Sequence, residues 1–133
     1  MKKIALITGI FLMLALACTE KELVIEVQLS DLSEHNMKII PDKPTSNDEI
    51  ILVVFEDCTY NVLSGVTKSE NTIDIRKTFN SMMKWPCFMT NDTILIGKLQ
   101  EGTYTVNYKL VDLSTQVTDK NALSFSFSLP VSK

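Results

Sequence analysis

Three cysteines, one histidine and scattered carboxylates are the side chains whose chemistry could matter here. Cys18 ends an apolar run, and Thr19-Glu20-Lys21-Glu22 follows at once. A thiol stands where greasy sequence turns polar. Cys58 lies in Glu56-Asp57-Cys58-Thr59-Tyr60 and Cys87 in Trp85-Pro86-Cys87-Phe88. His35, between Glu34 and Asn36, is the only histidine and reads as an exposed loop residue. There is no Gly-x-Ser-x-Gly elbow and no glycine loop of the kind that cradles phosphate. Glu56 and Asp57 are adjacent, so on a strand they would point to opposite faces, which is poor geometry for paired acid–base work. Asp74 and Arg76 share a strand face as a solvated pair of little energetic value. These residues predict a protein that is not an enzyme, with no cofactor and no metal.

The first residues carry the firmest signal. Lys2 and Lys3 form a positive start, Ile4 to Leu14 is apolar apart from Thr8 and Gly9, and small or apolar residues precede Cys18. That is the layout of a secretory signal. The run is short of the roughly 20 residues that cross a bilayer comfortably. Ala15-Leu16-Ala17-Cys18 resembles the lipobox of bacterial lipoproteins, with alanine at position 15 where the family more often has leucine. The resemblance covers about the first 20 residues. It implies that residues 1–17 are cleaved and that Cys18 is acylated. Residues 18–22 then form a short tether and residues 23–133 the folded domain. Several acyl chains on one residue hold a protein stably where one would be marginal. The family's inner-membrane retention signal is an aspartate after the lipidated cysteine. Thr19 stands there, so the resemblance implies the outer membrane of a Gram-negative bacterium, on its periplasmic or surface face.

Losing Lys2 and Lys3 takes the formal charge from −3 to two units lower. With no basic stripe, nucleic acid is excluded as a partner. Export also bears on the other thiols. An even pair in an oxidising compartment is expected to bridge. A Cys58–Cys87 disulfide would close a loop of about 30 residues, contributing roughly 3–4 kcal/mol in the chain-entropy model. A metal site or a reactive thiol are the alternatives.

Between the strands lies Ser81-Met82-Met83-Lys84-Trp85-Pro86-Cys87-Phe88-Met89, rich in sulfur and aromatic groups and without a clear period. One reading makes Trp85 and Phe88 a lid over the disulfide. The other makes Met82, Met83, Trp85 and Phe88 a binding loop, because methionine suits adaptable surfaces and tryptophan suits interface centres.

The elements that position these residues are strands. Leu23 to Leu29 alternates, with Leu23, Ile25, Val27 and Leu29 on one face. Met37 to Ile40 reads as an edge piece closed by Pro41. Ile50 to Phe55 is continuously apolar, as a central strand is. Tyr60 to Thr67 and Thr72 to Phe79 flank a turn at Lys68-Ser69-Glu70-Asn71. Thr93 to Leu99 follows, then Thr103 to Leu113 with Tyr104, Val106, Tyr108 and Leu110 facing in. In the last strand Leu123, Phe125, Phe127, Leu129 and Val131 alternate with serines. No segment shows a sustained helical period. Seven or eight short strands predict an all-β sandwich or barrel.

Leu99-Gln100-Glu101-Gly102-Thr103-Tyr104 resembles the tyrosine corner of immunoglobulin-like sandwiches, where a tyrosine hydroxyl folds back onto the backbone. The resemblance implies an immunoglobulin-like β-sandwich of about seven to eight antiparallel strands, with Gly102 and Tyr104 as structural residues. Val106 stands where antibody domains have a cysteine. The run from Cys58 to Tyr104 is similar to small immunoglobulin-like lipoprotein domains of unassigned activity, over roughly residues 50–110. Asp92-Thr93-Ile94 resembles a short acceptor motif for O-linked glycosylation in some exported proteins, with Thr93 as acceptor. The function expected from all this is a lipid-anchored, non-catalytic binding or interaction module at the cell envelope with a protein partner there. A lipid-tethered inhibitor of a hydrolase is the alternative.

Overall fold

The computed structural model describes residues 25–57, 63–82, 90–114 and 120–133. Cys18, Cys58, Cys87, Met83, Trp85 and Phe88 lie outside the described residues. Among the described residues there are eight strands: β1 (Ile25–Val27), β2 (Met37–Ile40), β3 (Ile50–Asp57), β4 (Leu63–Ser69), β5 (Thr72–Phe79), β6 (Thr90–Gly97), β7 (Gly102–Asp112) and β8 (Lys120–Val131). They form a five-stranded sheet in the order β1-β8-β7-β5-β4 and a three-stranded sheet in the order β2-β3-β6. The fold is all-β and sandwich-like.

Period-2 patterning explains the core. Phe125, Phe127, Leu129 and Val131 of β8 are buried, as are Tyr104, Val106 and Tyr108 of β7 and Ile73 and Ile75 of β5. Leu52 and Val54 of β3 and Ile94 and Ile96 of β6 join the same cluster. Burying each large apolar side chain contributes about 1.5–3 kcal/mol. Leu110 is only partly buried: the β7–β8 register slips between Leu110 and Val111, where Ala122 of β8 is passed over.

Four expectations are corrected. The strands are not all antiparallel: β1 runs parallel to β8, and β5 runs parallel to β7. Between β5 and β7 the chain crosses to the other sheet as β6 and returns, which restores its direction. The first strand is shorter than its alternation implies, because Leu29 already opens a 3-10 helix, Leu29–His35. That helix buries Leu32 against the core and ends on Asn36, which takes a left-handed φ of 54°. A helical segment therefore exists where none was expected, too short for a period to register. The turn after β4 is just Glu70-Asn71, since Ser69 pairs with Thr72.

Candidate functional site

Strand registers sort the candidate residues to the two ends of the sandwich. At one end the chain turns from β6 into β7. Tyr104 is 8% exposed and its hydroxyl donates to the Gln100 carbonyl at 3.1 Å. Gly102 has φ 154° and Gly97 φ 83°, conformations that side chains with a Cβ rarely adopt. Thr45 closes the same end, donating from its backbone N–H and its hydroxyl to Asp48 at 2.7 and 2.8 Å. Those two bonds hold the Asp48 carboxyl below the usual range.

At the opposite end Asp57 and Thr90 are direct partners in the three-stranded sheet. Phe79 pairs with Asp112, and Asp112 with Lys120. Here Ser81 donates to Asp112 from its hydroxyl at 2.6 Å and from its N–H at 3.1 Å, and the Ser114 N–H adds a third bond at 2.9 Å. Led by the Ser81 hydroxyl, these donors hold the Asp112 carboxyl far below the usual range. A carboxylate so strongly held ionised is a poor base. The arrangement clasps Ser81 and Ser114 onto Asp112. Beside it Met82 is 75% and Leu113 39% exposed.

A third cluster lies in the interior. Lys77 of β5 is 1% exposed, and its Nζ sits 2.7 Å from Asp92 Oδ2 of β6, so the pair ties one sheet to the other. Next to them burial, and secondarily the charge of Asp92, pushes the Tyr108 phenol up to about 12. In the folded state this tyrosine keeps its proton where the unfolded chain, at about 10, has lost it. Stability should therefore be whole below pH 10 and fall between about pH 10 and 12. Melts across that range should show a shallower decline for Tyr108→Phe. An unchanged slope would mean that Tyr108 titrates normally.

Thr93, the acceptor of the glycosylation triplet, is exposed on β6, paired with Val53 of β3. Its neighbours are engaged: Asp92 with Lys77, and Ile94 in the core. Asp74 accepts a hydrogen bond from the Asn107 amide at 2.7 Å. His35 is not a free loop residue. It ends the 3-10 helix, half-buried, and its ring stacks on Phe125 at 4.8 Å and 15°.

Sequence reasoning missed a cleft of about 720 Å³ between the 3-10 helix and β2. Leu29, Met37, Ile39 and Phe55 line it, with Asn36 and Asn91 among its polar groups. The Lys38–Asp42 pair at its rim spans 3.2 Å and is exposed, so it adds little energy. The cleft could take a small apolar group. Its residues come from three stretches of sequence, and the one local signal, the 3-10 turn, has no periodicity to reveal it. Among the described residues no group of three or more His, Cys, Asp or Glu is placed to hold a metal, and no helix is long and apolar enough to cross a membrane. No protein-family model, curated protein or solved structure matches the chain.

Proposed function

We propose that the chain is a bacterial lipoprotein of the Gram-negative cell envelope, held in the outer membrane by acyl chains on Cys18. Its β-domain acts as a non-catalytic binding module, with the segment beginning at Met82 as its contact loop. The observation that carries this reading is the order of the N-terminal residues: a positive start, an apolar run, Ala15-Leu16-Ala17-Cys18, then charge. The first described strand opens at Ile25. An immunoglobulin-like class for the domain is supported by the Tyr104–Gln100 bond and opposed by the parallel β5–β7 pairing. We retain it as a proposal about architecture alone.

Replacing Cys18 by serine tests the anchor. Expressed with labelled palmitate, the parent chain should carry label and sediment with membranes. The Cys18→Ser chain should carry none and stay as an unprocessed precursor or leave the membrane. Label retained in the variant would place the anchor elsewhere.

A further inference from the structure

The cleft between the 3-10 helix and β2 borders an open sheet edge. β2 is an outer strand of the three-stranded sheet, and among the described residues no strand pairs with its far side. The register fixes which backbone groups point there. The Phe55 N–H donates to the Asn36 carbonyl at 2.8 Å, and Met37 stands opposite Val54 in the same antiparallel register. In an antiparallel pair, hydrogen-bonded and non-hydrogen-bonded positions alternate. Asn36, Lys38 and Ile40 therefore turn their N–H and C=O groups to β3, while Met37 and Ile39 turn theirs away from it. Met37 and Ile39 are each 3% exposed, so bulk water hardly reaches these groups.

The cleft lies along this edge. Four consecutive residues, Asn36 to Ile39, line it, and they alternate between the two faces of the sheet, which places the cleft beside the strand and not over one face. Leu29 and Leu32 of the 3-10 helix belong to its opposite wall, and Lys38 and Asp42 stand exposed at the rim. Two donors and two acceptors, set about 6.6 Å apart along the strand, are the pattern an extended backbone recognises. Buried N–H and C=O groups are partnered in nearly all folded proteins. An aliphatic ligand would cover the apolar wall and leave these four groups unmatched. We infer that this edge takes an extended peptide segment of a partner protein, added beside β2 as a fourth strand of the sheet. The backbone of that segment bonds to Met37 and Ile39. Its inward side chains are apolar and meet Leu29 and Leu32, and the alternate ones are polar, level with Lys38. The helix wall decides between occupants, because a second folded copy would bring its own sheet up behind its edge strand and collide with the helix. The site depends on neither the Cys18 anchor nor the segment after Met82.

Residue-resolved amide hydrogen exchange on the full chain tests it. In the free chain the Met37 and Ile39 amides should exchange at least tenfold faster than those of Lys38 and Ile40, which donate to β3. Peptides selected on the immobilised chain from a random display library are then synthesised and added at saturation. They should slow the Met37 and Ile39 amides at least tenfold, and N-methylation at alternate peptide residues should remove the effect. Ser33 is exposed on the helix and lines the cleft. Ser33→Trp should block the peptides while the Lys38 amide stays protected, which shows the fold intact. Met37 and Ile39 amides as slow as that of Lys38 in the free chain would mean that the chain fills its own edge, and would overturn the proposal. A selection that yields no binder, or binders that leave these two amides unchanged, would overturn it as well.

Discussion

Asp92→Ala should destabilise the domain by about 3–5 kcal/mol, the range for removing one partner of a buried ion pair. The reason is the asymmetry of the pair. Lys77 is 1% exposed, so Asp92→Ala takes the carboxylate 2.7 Å away from a buried side chain. Asp92 is 29% exposed and can be hydrated. Lys77→Met should therefore cost far less, about 1 kcal/mol or under, since the methionine fills the lysine stem's space. The double variant should recover most of the Asp92→Ala loss. Urea unfolding of the three variants would measure these differences. Equal losses for the two single variants would show that burial of Lys77 does not set the energetics.

Phe125→Ala should cost about 3–5 kcal/mol, as deletions of buried aromatic rings do. Phe125 is 1% exposed and sits where four elements meet. Its ring stacks on His35 of the 3-10 helix and tilts against Tyr108 of β7 at 5.4 Å and Phe127 of β8 at 6.3 Å. Its strand pairs with β1 through Ile25. Such a loss is a large share of the 5–15 kcal/mol typical of a domain. A melting point lower by on the order of 15 °C is expected. His35→Ala removes one face of the stack and should cost about 1 kcal/mol. A Phe125→Ala melting point within a few degrees of the parent would mean that the ring does not join the helix to the sheet.

Most strands were legible because each buries one face. The serine alternation of β8 and the unbroken apolar run of β3 mark a half-buried strand and a central strand, and the structure places both so. Gly102 and Tyr104 were legible because a corner needs a special backbone shape and a hydroxyl within reach of a carbonyl three or four residues back. The buried lysine was not. Lys77 occupies an inward position of β5, and Asp92 lies fifteen residues away on another sheet. His35 was misplaced for the same reason, since nothing near it in sequence announces Phe125.

What the sequence determined by itself is local: the apolar run that stops at Cys18, the two-residue period of the strands and the tyrosine turn. Each depends on residues a few positions apart, and side-chain alternation is a property of one strand. Strand direction and neighbour order are not. The parallel β5–β7 pairing and the Lys77–Asp92 tie exist only once β6 has crossed to the opposite sheet. Backbone pairing accepts either direction at nearly the same energy. The choice falls to whichever arrangement closes the apolar interior, and that is decided by the whole chain at once.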